Sequence, residues 1–199
     1  HYSIPAFDES GAPGREPGST IASNKTLLRG GELLFSKLNS HKPRVWRVTE
    51  DGHIKVASTE FIALREWHEG KTHTTFMQYL LGSAVFAEYI SCFQTSVTNS
   101  HKRISPEDLW RTCIPLPPLP EQERIAAYLD ASCAAIDAAV AAKRRQLETL
   151  NVLRIAIIQR AVTRGLSESV VLEATGNAWM ENIPRGWKLV CLKRIAEIQ

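Results

Sequence analysis

One stretch of the sequence combines hydrogen-bond donors with the predicted end of a buried strand. Ser36, Lys37 and Asn39 follow the apolar run at 33–35, and Arg44 comes five residues later. Hydroxyl, amide, ammonium and guanidinium groups can reach phosphate oxygens and base edges, with Asn suited to adenine and Lys or Arg to guanine. Ordinary turn chemistry explains the same residue types equally well. On the first interpretation, Lys37, Asn39 and Arg44 are candidate nucleic-acid contacts.

A second polar stretch, at 95–104, carries the same chemistry. Small hydroxyl and amide side chains are followed there by Ser100, His101, Lys102 and Arg103. The small side chains can form local turns, while His, Lys and Arg can contact phosphate. The stretch is therefore either ordinary turn chemistry or a second set of candidate contacts.

The charge distribution says more than the total charge. A formal net charge of +3 is too small to indicate a nucleic-acid-binding protein by itself. Residues 23–47, however, contain six basic side chains, Lys25 among them, against the single acid Glu32. A local excess of this kind suits a phosphate backbone, and it adds Lys25 to the candidates. A solvated basic face is the alternative.

The sequence carries none of the catalytic motifs that have a recognisable spacing. Gly30-Gly31 lacks the Gly-Lys-Ser/Thr continuation of a P-loop, and no Gly-x-Gly-x-x-Gly, Gly-x-Ser-x-Gly or His-Glu-x-x-His occurs. Pro117-Pro118 lacks the preceding Asp or Asn of an amino-methyltransferase loop. We therefore expect a non-catalytic binding protein that binds no cofactor itself.

The four cysteines, Cys92, Cys113, Cys133 and Cys191, form no Cys-x-x-Cys pair and have no His at ligand spacing. Neither a metal site nor a disulfide framework is expected, and reduced thiols fit a cytosolic protein. No run approaches the roughly 18 apolar residues of a membrane span. The sequence also contains no signal peptide. We expect a cytoplasmic protein without a membrane.

The spacing of apolar residues over 1–113 predicts a mixed α/β globular domain. Strands are predicted at 2–8, 32–38, 44–48, 54–56 and 61–64. Asp51-Gly52 predicts a hairpin turn, and residues 74–90 carry apolar positions at helical spacing. Ser105-Pro106 is typical of a capped first helical turn. The predicted fold class is α+β.

A proline-rich connector at 114–120 leads into one long predicted helix at 121–165. Each proline lacks a backbone N–H and restricts the residue before it, whereas no Pro or Gly follows until Gly165. An apolar seam steps by three and four along the helix, with Lys143 and Arg154 as basic interruptions. The seam consists of Leu129, Ile136, Val140, Leu147, Leu150 and Ile157. This pattern predicts a coiled coil or helix hairpin; packing on its own domain is the alternative.

The last part of the sequence predicts a polar linker at 166–182 and a new domain from 183. Trp187, Leu189 and Cys191 alternate as in a strand, and Leu192 and Ile195 continue at helical spacing. The sequence starts at His1 and stops within this amphipathic segment. We expect a fragment of a longer polypeptide.

Seven short stretches stand out in their order along the chain: SIPAFD at 3–8, SNK at 23–25, LFSKLN at 34–39, PRVW at 43–46, STEF at 58–61, TNSHKRI at 98–104 and PPLPEQ at 117–122. Together they resemble the specificity (S) subunit of type I restriction–modification systems. The resemblance covers nearly the whole chain. It implies that residues 1–113 form a target recognition domain without its N-terminal opening. Residues 121–165 would form the spacer helix. Residues 183–189, IPRGWKL, resemble the start of a second recognition domain.

The resemblance also implies a function and partners. In this family each recognition domain reads half of a bipartite site in double-stranded DNA, and two long helices pack as an antiparallel coiled coil. Methyltransferase (modification) subunits dock on that framework with S-adenosylmethionine, and restriction/translocase subunits join with ATP and Mg. The family often has Gln where Lys102 stands.

The single spacer helix leads to a further hypothesis. Two copies are expected to pair through it head to tail, so that each tail completes the recognition domain of the other. Two alternatives to DNA recognition by a type I subunit remain. One is a helical protein-interaction scaffold without DNA binding, and the other is the DNA-binding part of a larger single-chain restriction enzyme.

Overall fold

The computed structural model describes residues 1–21, 23–65, 71–95, 102–167 and 169–196. The chain forms two compact units, His1–Ala131 and Ser132–Gln199. The first unit holds two small sheets and four short helices among its described residues, and a long helix begins in it. The predicted α+β class, a mixed globular domain followed by a long helix, is confirmed.

The first element is a helix, α1 (Ile4–Ser10), where a strand was predicted. Ser3 lies in an extended conformation and its hydroxyl accepts a hydrogen bond from the Ala6 N–H at 3.3 Å. Pro5 suits the first helical turn, where its missing N–H has no partner to lose. The strand prediction for 2–8 was wrong because this capping chemistry outweighs the apolar alternation, and only Tyr2 forms a bridge, with Ala57.

Five short strands build two sheets in the first unit. They are β1 (Lys25–Leu28), β2 (Leu33–Ser36), β3 (Val45–Arg47), β4 (Lys55–Ser58) and β5 (Phe61–Leu64). One sheet has the order β3-β2-β5 and the other pairs β1 with β4, with all pairs antiparallel. The predicted strands at 32–38, 44–48 and 61–64 are present, whereas β1 was not predicted.

The turn at Asp51-Gly52 does not connect a hairpin. β4 pairs with β1, not with β3, so the returning strand joins a different sheet. Asp51 instead accepts hydrogen bonds from the Lys55 ammonium and from the His53 N–H. These hydrogen bonds hold the pKa of Asp51 well below its usual value, and the bond from Lys55 has the largest effect.

The central strand β2 is buried on both faces. Leu33 and Phe35 pack into one apolar cluster, and Leu34 packs with Tyr2 and Trp46 into another. Successive side chains of a strand point to opposite faces, so one strand serves both clusters. Each fully buried side chain of this size contributes about 1.5–3 kcal/mol to stability.

Three helices cover the first cluster: α2 (Thr74–Leu81), α3 (Ala84–Ser91) and α4 (Pro106–Arg111). The predicted single helix over 74–90 is broken at Gly82-Ser83, where the Ser83 hydroxyl accepts from the Phe86 N–H at 3.2 Å and starts a new helix. The cap predicted at Ser105 is present, with the Asp108 N–H donating to its hydroxyl at 3.0 Å.

The long helix α5 (Leu119–Arg164) has 46 residues and a length of about 69 Å. It starts within the predicted connector, since a proline is tolerated in the first turn. No membrane span was expected from the sequence, yet among the described residues α5 is long and apolar enough to cross a membrane by length and composition alone, which is weak evidence for a span. Asp130 in it accepts a hydrogen bond from the Tyr79 hydroxyl at 2.8 Å, so this end of the helix belongs to the globule.

The second unit contains a hairpin where a linker was predicted. Its strands are β6 (Leu172–Asn177) and β7 (Met180–Pro184), so residues 166–182 are partly ordered as antiparallel structure. The strand expected at 187–191 is absent from the described residues, and a short 3-10 turn at Leu192–Arg194 follows. The hairpin itself was not predicted, since its polar residues lack an apolar pattern and cross-strand pairing orders them.

Candidate nucleic-acid interface

The two polar stretches are adjacent in space. After β2, Leu38 forms an antiparallel bridge with Arg103. The Asn39 N–H donates to the Lys102 carbonyl at 2.8 Å, and the Ile104 N–H donates to the Lys37 carbonyl at 3.1 Å. Residues more than 60 positions apart in the sequence are therefore held side by side by backbone hydrogen bonds.

The loop between β2 and β3 turns at Asn39. This residue has a left-handed backbone, φ 51°, which Asn tolerates better than most residues. Its carbonyl accepts from the Lys42 N–H at 2.9 Å, which closes the turn. The buried Ser40 accepts from the Gln94 side chain at 2.6 Å and ties the loop to the globule. We call the resulting surface the basic patch; it consists of Lys37, Asn39, His41, Lys42 and Lys102.

The basic patch is accessible. His41 and Lys42 are exposed, and Lys37, Asn39 and Lys102 are half-buried. The backbone bonds therefore bring the three lysines Lys37, Lys42 and Lys102 together on two adjoining loops. His41 and Lys42 were not predicted as site residues; the signal for them was their place at the tip of a short connection between two predicted strands.

Arg103 lies beside the patch but is already paired. Its guanidinium donates to both carboxylate oxygens of Glu60, at 3.0 and 2.9 Å. The hydrogen bond and the charge of Glu60 raise the pKa of Arg103. The Lys37 N–H donates to the Glu60 carbonyl at 2.9 Å, so Glu60 joins the two stretches through both backbone and side chain. The role of Glu60 was not predicted, since an isolated Glu carries no local signal.

Arg44 is not part of the exposed surface. Its side chain is only 7% exposed, and its Nε and Nη2 donate to the two carboxylate oxygens of Asp8 at 2.6 and 2.7 Å. This hydrogen bonding holds the pKa of Asp8 below its usual value. The paired guanidinium therefore ties α1 to the residue just before β3, and the expectation that Arg44 contacts phosphate stays a prediction.

The remaining candidates lie elsewhere or cannot be placed. Lys25 begins β1, in the other sheet, and its ammonium donates to the Ser23 hydroxyl. Ser100 and His101 lie outside the described residues. Within the parts of the chain that the structure describes, no group of three or more His, Cys, Asp or Glu side chains could hold a metal ion.

A second candidate surface runs along α5. Five of the six predicted seam residues are 44–62% exposed, and Leu129 is half-buried. The exposed ones are Ile136, Val140, Leu147, Leu150 and Ile157. A stripe of large apolar side chains in water marks a protein-interaction surface.

Solved structures of other proteins share the fold of this chain. No protein-family model and no curated protein matches the sequence. Among solved structures, the HsdS subunit from Thermoanaerobacter tengcongensis matches with a TM-score of 0.55 and 21% identity, covering 87% of this chain. A chain from a structure described as the basis of complex assembly and conformational transition of the type I R-M system matches with a TM-score of 0.53 and 25% identity, covering 70%.

The chain spans only 41% and 32% of the lengths of these two chains. One match is an HsdS subunit and the other comes from a type I R-M system, in agreement with the resemblance of the sequence motifs. Over the segment compared, this chain therefore shares its fold with part of the HsdS subunit.

Proposed function

We propose that this chain is part of a DNA-recognition subunit of a type I restriction–modification complex and reads half of a bipartite site. The observation that carries the proposal is the basic patch, built from two distant stretches on a fold shared with HsdS. Phosphate contacts from Lys37, Lys42 and Lys102 would set the register on the duplex.

Base readout needs groups that distinguish base edges. Asn39 sits within the patch and can pair with adenine in the major groove. Ser100 and His101 remain candidates for the same task, and Lys25 and Arg103 remain candidate phosphate contacts. Arg103 would act as a pre-oriented donor, because Glu60 already holds its guanidinium in place.

The exposed seam of α5 supports a helical partner. We propose that the seam pairs with a second long helix, supplied either by the rest of the parent polypeptide or by a second copy in a head-to-tail homodimer. Modification subunits would dock on this framework and bring S-adenosylmethionine, while restriction/translocase subunits would bring ATP and Mg. The chain itself would be non-catalytic and cytoplasmic.

Methylome sequencing of the host tests the proposal. Deletion of the parent gene should abolish adenine methylation at one bipartite motif and leave other motifs methylated. If no motif disappears, the proposal fails.

Duplex binding separates DNA recognition from a pure scaffold. The parent subunit with its modification subunits should bind a duplex carrying the motif, and the logarithm of its binding constant should fall linearly with the logarithm of salt concentration. A complex that assembles but retains no duplex at low salt would favour the scaffold, whose only observed support is the exposed seam.

A further inference from the structure

We propose that Gln122 is a positioning residue that locks α5 to the globule at a fixed angle, and that this lock sets the distance between the two DNA half-sites. The first part stands on the geometry of the first unit alone. The second part rests on the proposed function.

Gln122 is 0% exposed although it lies in the first turn of a helix that is mostly in water. Its Oε1 accepts from the His73 N–H at 2.8 Å. Its Nε2 donates to the Lys71 carbonyl at 2.8 Å and to the Pro117 carbonyl at 2.7 Å. Both amide protons are used, and the fixed donor and acceptor roles of the backbone leave one orientation of the amide.

These three bonds join three separate pieces of the chain. Lys71 and His73 lead into α2, whose first turn His73 caps by accepting from the Phe76 N–H. Pro117 belongs to the connector, and Gln122 belongs to α5. A single side chain therefore links the start of one core helix, the connector and the start of the long helix.

Apolar packing alone would leave the angle between α5 and the rest of the first unit less well defined. Ala126, one turn further, is buried in the apolar cluster that includes Phe76 and Met77. Such contacts are non-directional, whereas hydrogen bonds require alignment of donor and acceptor. The Tyr79–Asp130 bond lies about 12 Å further along the helix and is exposed, so Gln122 is the buried directional contact.

The length of α5 makes a small angular error large. A swing of about 10° at the start of a 69 Å helix moves its far end by about 12 Å. At 3.4 Å per base pair this corresponds to roughly three to four base pairs. A complex that distinguishes spacings of one base pair therefore needs a stiff joint.

Spin labels on the full chain test the lock without DNA. Cys92 and Cys133 are exposed and free, and Cys113 and Cys191 can be replaced by Ser. With labelled chain diluted in unlabelled chain, pulsed dipolar spectroscopy should give a narrow distance distribution. Gln122→Glu keeps the acceptor, loses one donor while the new carboxyl is protonated and loses both donors once it ionises. Burial raises the pKa of this carboxyl, so the distribution should broaden as the pH rises through the raised pKa and narrow again below it.

Glu123→Gln is the matched control, because Glu123 is exposed on the same turn. Its distribution should stay as narrow as that of the native chain. Gln122→Ala is a harsher variant, and if it does not fold, Gln122→Glu still decides. A distribution that stays unchanged in Gln122→Glu across the ionisation of the new carboxyl overturns the lock.

The second part is tested in the full complex on duplexes with the motif found by methylome sequencing. Gln122→Glu should reduce the discrimination between native and altered spacings by about tenfold, the effect of about 1.4 kcal/mol, and change affinity for a duplex with one half-site by less than about twofold. Unchanged discrimination overturns the spacing role. A native complex that binds no duplex refutes the proposed function instead, while the spin-label result on the lock stands.

Discussion

The two parts of α5 differ in how their apolar stripe is covered. Gln122 and Ala126 are buried in the first unit, and Leu129 is half-buried. From Ile136 onward, the same three-four periodicity continues with exposed side chains. The periodicity alone does not reveal this difference, because it marks an apolar stripe without naming what covers it. One part stabilises the globule, and the other is available for a partner.

The largest expected effect tests the covered part. Ala126→Glu places an unpaired charge in a core position and should lower the free energy of unfolding by about 3 kcal/mol or more. Ala138→Glu, at an exposed position on the opposite side of the helix from the seam, should change it by less than about 0.5 kcal/mol. Urea unfolding followed by tryptophan fluorescence measures both. Equal effects would remove the distinction between the two parts.

The next effect tests the uncovered part. Leu147→Glu together with Leu150→Glu should weaken association through α5 by about 100-fold or more, because two large apolar contacts are lost at once. Val152→Glu changes an equally exposed side chain off the seam and should leave association intact. Sedimentation velocity over a concentration series measures this. A native chain that stays monomeric at all concentrations would exclude the homodimer, and association with modification subunits would then be the assay.

Basic side chains show the same contrast: Arg44 is buried and paired, whereas Lys42 is exposed. Arg44→Met should lower stability by about 1 kcal/mol, since the hydrogen bonds of the buried guanidinium to the half-exposed Asp8 carboxylate are lost. Asp8 has a lowered pKa in the folded state, so its stabilisation is present above the unfolded value near 4 and disappears as the pH falls through the folded value. The cost of Arg44→Met should therefore be smaller at pH 3 than at pH 7, as measured by thermal unfolding with Asp8→Asn as reference. A loss of DNA affinity with full stability would return Arg44 to the DNA contacts.

The smallest expected effect tests the accessible lysines of the basic patch. Lys42→Ala and Lys102→Ala should each weaken binding to every duplex about equally and reduce the slope of log K against log salt by about one. Lys188→Ala removes an exposed cation of the second unit and should leave the slope unchanged. Fluorescence anisotropy at several salt concentrations measures the slopes. If all three variants behave alike, the basic patch is not the binding surface.

The local part of the fold was readable from the sequence. The cap at Ser105, the long helix and the strands around Leu34, Trp46 and Phe61 follow from capping residues and apolar spacing over a few positions. At Ser3-Ile4-Pro5 an equally local signal was present and was interpreted as a strand. β1 and the β6–β7 hairpin were missed because their sequences lack the alternating apolar pattern of a half-buried strand, and cross-strand pairing orders them.

The sequence by itself determined where the helix lies, which of its positions are apolar and which residues carry positive charge, because these depend on residue type and short spacing. Only the tertiary structure decided which charges are free and which stretches meet. Arg44 is neutralised by Asp8, 36 residues away, and Lys102 reaches Asn39 through a backbone bond across more than 60 residues. Contacts over such separations depend on the packing of the whole globule, and no local pattern encodes them.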